Sequence, residues 1–298
     1  MLYDLNIAWS PTTTKEQLLQ TLAFASSLGY GTVALNHTFT QPPMGKDPTA
    51  PFPDLSAETA ANKKLPHILH RATLPLADPA ASNYRLPSLI RAFDILAVRP
   101  LTDKAFQNAC LTLDVPLISL DLTQQFTFHF RPKPCMAAVS RGVRFEICYA
   151  QALAADARGR AAFIGNAASL VRATRGRGII ISSDARAALS LRAPADVVNL
   201  LSVCGLGNEK GMEGLGAGPR SVVVNEGMKR NGFRGVIDIV QTAGPDPKTQ
   251  QPKQQSKQEA KKLQKQKRKN GEEENQATNI RQHKKMKVVT RDGDLAKR

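Results

Sequence analysis

The sequence predicts a (β/α) barrel of the TIM type, and three observations lead there. Across residues 1–240, short apolar runs rich in β-branched residues alternate with segments of helical period, as in a parallel sheet wrapped by helices. Seven such runs are present, and glycine or proline marks several changes of period. A list of that length closes naturally on itself, although a doubly wound open sheet accommodates it too. A chain of 298 residues, 42% hydrophobic, also has enough apolar surface for one large core.

Residues 2–8 form the first strand. A helix over residues 14–28 follows, in which Leu18, Leu19, Leu22 and Ala25 share one face and Gly29 marks the end. Residues 31–36 are the second strand, residues 40–53 a loop with five prolines, and residues 68–76 the third strand after a short ambiguous stretch. Residues 85–93 have a helical pattern. Strands over residues 94–98 and 116–122 flank a helix over residues 102–113, and a short helix over residues 134–141 precedes a strand over residues 143–149. A long helix over residues 156–175 leads to the strand 178–182. Pro194 then starts a helix with Val197, Val198, Leu201 and Cys204 apolar and Gly205 closing it. The glycine-rich stretch through Gly205, Gly207 and Gly211 to Gly218 lacks the spacing of a phosphate-cradling loop and is expected to be a flexible connection. Residues 220–231 are a last helix, and residues 235–240 an eighth strand or an edge.

Residues 1–240 are therefore one barrel domain and residues 241–298 a tail. In the tail apolar residues thin out and Gln, Lys and Glu dominate, so it is expected to be disordered when free. Lys261, Lys262, Lys265, Lys267, Arg268 and Lys269 form one basic cluster, and Lys284, Lys285 and Lys287 a second; such clusters serve nuclear targeting or RNA contact. The formal charge is +16: the tail holds 16 Lys/Arg against 7 Asp/Glu, or +9, which leaves 25 against 18, or +7, for the barrel. A basic body joined to a basic tail points to a polyanionic partner without saying which.

The four cysteines, Cys110, Cys135, Cys148 and Cys204, have no zinc-ligand spacing and are expected to be buried thiols in a reducing compartment. No apolar run approaches the roughly twenty residues of a membrane span, and Asp4 and Asn6 interrupt what a signal peptide would keep apolar. A soluble intracellular protein with no membrane partner is the expectation.

Asp4, Asn6, His37, Asp121, Glu146 and Asp184 fall at or near predicted strand ends, where barrels build active sites. Asp4 and Asn6 stand where a barrel hydrolase usually holds metal-binding histidines. A metallophosphatase site needs about four to six donors per ion, yet there are five histidines and no His-x-His; His283 is in the tail, and His67 and His70 lie near a loop and strand start, leaving His37 and His129. A satisfied polar layer that holds loops in place is the better reading. Glu146, alternating with Phe145 and Ile147, faces the opposite side of its strand; in the interior it needs a partner, which Arg71, Arg99 or Arg144 can supply. No histidine frames Ser182-Ser183-Asp184, so a nucleophile there is discarded. No catalytic residue, metal ligand or cofactor is assigned.

RNA contact has better support. Arg131, Lys133, Arg141 and Arg144 bracket one loop-helix unit, and Arg172, Arg175 and Arg177 cluster before the 178–182 strand. Cations beside phosphates bind through counterion release without reading bases; a solvated helix end is the plain alternative for the second group. Aromatic residues are only 5% of the chain and none forms an obvious base-stacking pair, so backbone and shape would be recognised.

Three stretches carry a family resemblance: Tyr3-Asp4-Leu5-Asn6 with Leu28-Gly29-Tyr30 and Val33-Ala34-Leu35-Asn36-His37; Phe128-His129-Phe130-Arg131-Pro132-Lys133 with Arg141-Gly142-Val143 and Phe145-Glu146-Ile147-Cys148-Tyr149; and Ile179-Ile180-Ile181-Ser182-Ser183 with Arg192-Ala193-Pro194-Ala195-Asp196-Val197 and Asn199-Leu200-Leu201. Together, over nearly all of residues 1–240, they resemble the thirty-kilodalton TIM-barrel protein subunit of nuclear and archaeal ribonuclease P, shared in eukaryotes with ribonuclease MRP. The resemblance implies a barrel like that of the polymerase-and-histidinol-phosphatase (PHP) enzymes. It implies a non-catalytic role in 5′-leader removal from precursor tRNA and in rRNA processing, with the catalytic RNA (and MRP RNA) and a small Pop-family α/β subunit as partners. Precursor tRNA is met indirectly, and the location is nuclear and nucleolar. It tips Arg131 and Lys133 toward RNA or partner contact. The alternative is a metal-dependent phosphoesterase of the PHP superfamily, using Asp4, His37 and Glu146.

Overall fold

The computed structural model describes residues 1–40, 49–62, 64–78, 86–233 and 237–238. Seven parallel strands, β1 (Leu2–Ala8), β2 (Tyr30–Thr38), β3 (His67–Leu76), β4 (Ile95–Pro100), β5 (Leu117–Ser119), β6 (Arg144–Cys148) and β7 (Ile179–Ser182), pair in sequence order. The curl nearly closes at the C-terminal ends of β7 and β1, through an Ile7–Ala185 bridge, Ala8 N–H donating to Ala185 O at 3.0 Å and Asp184 N–H donating to Asn6 O at 2.7 Å. The structure is thus the barrel and not the open sheet.

Helices return the chain to the start of each next strand. These are α1 (Lys15–Ser27), α2 (Ser56–Ala61), α3 (Leu86–Ala92), α4 (Asp103–Leu111), α5 (Pro132–Ser140), α6 (Tyr149–Ala154), α7 (Ala157–Thr174), α8 (Pro194–Ser202), α9 (Asn208–Leu215) and α10 (Ala217–Asn231). Their ends follow local chemistry. Thr14 and Gln17 form a capping box on α1, Asp156 accepts from Gly159 N–H at the start of α7, and Pro194 opens α8. Helix α1 stops at Gly29, whose φ of +94° suits glycine.

Alternation along the strands divides the core into two shells. Phe145, Ile147, Ile179 and Ile181 face the helices, whereas Leu5, Ala34, Leu69, Ala97, Leu117 and Ile180 pack inside the barrel together with Val222 of α10. Helix α10 therefore plugs the N-terminal end of the barrel, and the C-terminal end of the interior is left to polar side chains.

Several expectations are corrected. Among the described residues there is no eighth barrel strand: Gly232–Phe233 pairs antiparallel with Ile237–Asp238 as a separate ribbon. The glycine-rich stretch is not a flexible connection but helix α9 and the start of α10. A Cβ on Gly211 would lie 2.9 Å from Val198, and one on Gly214 would lie 3.1 Å from the Ile179 carbonyl, so these glycines permit close packing on α8 and β7. Strand β5 ends at Ser119, not residue 122; Leu120 and Leu122 are buried against the outer shell by the following loop. Helices α2 and α6 lie in segments too short for periodicity to declare. The loop expected at residues 40–53 is partly described and the tail from residue 241 lies outside the described residues. All four cysteines are buried and unpaired as disulfides. Among the described residues no helix is long and apolar enough to cross a membrane.

Candidate functional site

Strand β3 turns Leu69, Arg71 and Thr73 inward in succession, and Arg71 reaches the barrel centre fully buried. Opposite it, β6 presents Glu146, also fully buried. Arg71 Nη1 donates to Glu146 Oε1 at 2.5 Å and Nη2 to Oε2 at 2.6 Å, while Nη1 also donates to Leu5 O at 2.6 Å. Of the three arginines open to Glu146 from the sequence, the structure selects Arg71. A bidentate guanidinium fork is the geometry that best repays the desolvation of both charges.

The pair is tied into a ring. Thr73 Oγ1 donates to Asn36 Oδ1 at 2.8 Å, Asn36 Nδ2 donates to Asn6 Oδ1 at 2.8 Å, and Asn6 Nδ2 reaches Glu146 Oε2 at 3.5 Å and Cys148 Sγ at 3.3 Å. Strands β1, β2, β3 and β6 are thereby cross-linked through one polar layer. Burial pushes the Glu146 carboxyl up, but the charge and hydrogen bonds of Arg71 outweigh it and hold it at about 2. The Ser119 and Ser182 hydroxyls lie beside the carboxylate and favour its charge, although neither meets it with full hydrogen-bond geometry. Burial weakens the Arg71 charge and Glu146 more than restores it, so its pKa is raised.

Asp4 serves the seam. Its Oδ1 accepts from Ser183 N–H at 2.9 Å and Asn6 N–H at 3.2 Å, at the register shift between Asp4 and Ile7, while Oδ2 is buried without a partner. Burial raises its pKa to about 6, against the opposing bonds from Ser183 and Asn6. Asp184, in the left-handed region at φ +58°, accepts from Gln151; burial raises its pKa. Asp121 accepts from Thr123 and Gln124 within its own loop. His37 sits in an aromatic cluster, 4.8 Å from Phe39 and 5.9 Å from Trp9 between ring centroids, and burial lowers its pKa. His70 stacks on Phe52 and His129 is exposed. Asn6 thus links Asp4 to Glu146, whereas His37, Asp121 and Asp184 serve separate local jobs. Among the described residues no group of three or more His, Cys, Asp or Glu is placed to hold a metal ion.

The structure separates the basic residues that the sequence grouped. Arg131 is the N-cap of α5 and Lys133 lies in its first turn, at the C-terminal end of the barrel. Arg141 caps the other end of that helix, about 15 Å away across ten residue steps. Its Nη1 donates to Cys110 O at 2.7 Å and Nη2 to Leu113 O at 2.6 Å, so it fastens the end of α4. Arg144 opens β6, half-buried, with its Nε buried and unpartnered. Arg172, Arg175 and Arg177 lie exposed at the end of α7, with Arg175 left-handed at φ +55°. All five belong to the N-terminal end of the barrel. Lys261, Lys262, Lys265, Lys267, Arg268 and Lys269 lie outside the described residues.

Sequence reasoning missed Arg158, Arg160 and Arg186, which the fold brings to the same end as Arg131 and Lys133. The signal was present: in a parallel barrel every segment that follows a strand emerges at one end, so the residues at the starts of α5 and α7 and after β7 share a rim. It also missed a cleft of about 570 Å³ lined by Gln124, Gln125, Arg158, Gly159, Gly165 and Asn166.

Comparison with known proteins agrees with this architecture. The family described as "RNase P subunit p30" matches residues 1–231. The chain is 34% identical over 239 residues to a protein of Schizosaccharomyces pombe named "Probable ribonuclease P protein subunit 3", covering 80% of this chain and 99% of that one. It is 33% identical over 229 residues to the Mus musculus "Ribonuclease P protein subunit p30", covering 74% and 84%. It is 26% identical over 249 residues to the "Ribonuclease P/MRP protein subunit RPP1" of Saccharomyces cerevisiae, covering 80% and 84%. Among solved structures, a chain in a cryo-EM structure of archaeal ribonuclease P with mature tRNA shares the fold at a TM-score of 0.57 and 14% identity, over 82% of this chain and all of that one.

Proposed function

The chain belongs to the ribonuclease P subunit p30 family, and from that membership we propose that it is a non-catalytic protein subunit of ribonuclease P, shared with ribonuclease MRP. In this reading it supports the RNA that removes the 5′ leader of precursor tRNA, and contributes to rRNA processing. The observation that carries the non-catalytic part is the Arg71–Glu146 pair. Both carboxylate oxygens of the most central acid are taken by a guanidinium of the same chain, and a fixed positive charge there repels a divalent ion. A phosphoesterase built on Asp4, His37 and Glu146 would need these three to share an ion, whereas Asp4 belongs to the seam and His37 to the aromatic cluster. No cofactor is needed for the role.

The catalytic RNA, MRP RNA and a small Pop-family α/β subunit are the direct partners in this proposal, with precursor tRNA met indirectly. Of the residues expected to make RNA or protein contact, Arg131 and Lys133 take the RNA in this proposal and Arg144, Arg172, Arg175 and Arg177, at the opposite end, the protein partner; Arg141 is spent on the carbonyls of Cys110 and Leu113. The tail lysines Lys261, Lys262, Lys265, Lys267 and Lys269 with Arg268 direct the chain to the nucleus and nucleolus. Sequencing the RNA that co-purifies with the tagged full-length chain tests the assignment: ribonuclease P and MRP RNA should be enriched, and recovery without ribonuclease P RNA would refute it. A fluorescent fusion with the six tail cations replaced by alanine tests the targeting role, with loss of nuclear accumulation expected.

A further inference from the structure

We propose that the rim of the barrel between β5 and β7 is the surface on which this chain holds an RNA backbone, a refinement that rests on the ribonuclease P reading above. Five cations stand there: Arg131 and Lys133 at the start of α5, Arg158 and Arg160 in the first turns of α7, and Arg186 just after β7. All five are exposed, and among the described residues none forms an ion pair, in contrast to Lys15, Lys210, Lys229 and Arg230, which do. Exposed cations left without carboxylates remain available to an external polyanion.

The rim is one surface because its loops are fastened to each other. Gln151 accepts from Leu122 N–H and donates to Asp184, joining the loops after β5 and β7. Asn166 of α7 donates to Leu122 O and Gln124 O at 2.8 and 2.9 Å. Three carboxylates stand on the rim between β5 and β7, held by local hydrogen bonds, Asp121 from Thr123, Asp156 from Gly159 N–H and Asp184 from Gln151, and the five cations outnumber them. Beside Arg158 lies the cleft of about 570 Å³ noted above, which Asp156 also lines. A Cβ on Gly165 would meet nothing within 4 Å, so a strand can approach the helix backbone, and the exposed amide of Gln125 is available for hydrogen bonds to sugar hydroxyls, whereas that of Gln124 already donates to Asp121. At the opposite end, Arg141 spends its guanidinium on two carbonyls, which suits a structural role better than phosphate contact.

The test uses the full-length chain and the ribonuclease P RNA of the same organism, with binding measured across a salt series. Each lost phosphate contact flattens the plot of log affinity against log salt by about 0.7 to 0.9. The variant Arg131→Gln/Lys133→Gln/Arg158→Gln/Arg160→Gln, checked for an unchanged thermal transition, should lower the slope by roughly 2 to 4. The variant Arg172→Gln/Arg175→Gln/Arg177→Gln should leave the slope within about 1 of the wild type. Equal losses in both variants, or a loss in the second alone, overturn the rim while leaving the subunit reading intact. A wild-type chain that does not bind this RNA overturns both.

Discussion

Replacing Arg71 by methionine leaves Glu146 buried with no opposite charge. The size of the effect follows from two routes. The Glu146 carboxyl is lowered from its ordinary 4.5 to about 2, which corresponds to about 3 kcal/mol of stability at neutral pH. Removal of one partner from a buried pair typically destabilises by about 3 to 5 kcal/mol. For a domain of this size that lowers the melting temperature by roughly 6 to 20 °C. The pH dependence is diagnostic. In the wild type the folded pKa lies below the unfolded one, so this contribution is present above about 4.5 and lost as pH falls toward 2. In the variant the lone carboxyl is raised above 4.5, so its penalty grows as pH rises and shrinks in acid. Urea unfolding at pH 7 and pH 4 reads both. The double variant Arg71→Met/Glu146→Leu should recover much of the loss, since an apolar pair of similar volume often replaces a buried ion pair without cost. A loss under about 1 kcal/mol at pH 7, or the same loss at both pH values, would refute the ring as the organising contact of the barrel.

Asp4 offers the opposite sign. Burial raises it from 3.8 to about 6, so the stability associated with its protonated form is complete below 3.8 and lost as pH rises through 6, by about 3 kcal/mol. Asp4→Asn should therefore be at least as stable as the wild type at pH 7.5 and lose its advantage at pH 4.5, as read by urea melts at the two values. Gly178 has φ +67°, and a Cβ there would meet Val139 Cγ2 at 2.8 Å, so Gly178→Ala should lower stability by about 1 to 3 kcal/mol through strain and overpacking. Arg141→Ala removes two hydrogen bonds to the end of α4 and should lower stability by about 1 to 3 kcal/mol while shifting the salt slope of RNA binding by less than about 1.

Most of the barrel was legible because its signals are local. The terminator Gly29 and the helix-starting Pro194 placed helix ends within a residue or two, and β-branched runs placed the long strands. What was not legible depended on tertiary partners. The glycines of α9 read as flexible because glycine weakens isolated helices, yet here they admit Val198 and Ile181 at close range. The run over residues 116–122 read as one strand because periodicity cannot tell a buried strand from a buried loop. At the site, alternation alone sent Glu146 inward, but three arginines remained open to it. Only the parallel register, which places Arg71 on the neighbourhood of Asn36 and Ile95, decides between them. The basic residues were grouped by proximity in sequence, whereas the barrel sorts them by which end of a strand they follow.

The most direct test of the account is 5′-leader removal from precursor tRNA by the tagged full-length chain captured from extract of its own cells, measured before and after nuclease digestion of the captured material. The account predicts activity that co-elutes with ribonuclease P RNA, disappears on digestion and persists when Asp4→Ala chain of intact fold replaces the wild type. Activity that survives digestion but is abolished by a chelator and by Asp4→Ala would show a metalloenzyme, and would contradict the central claim.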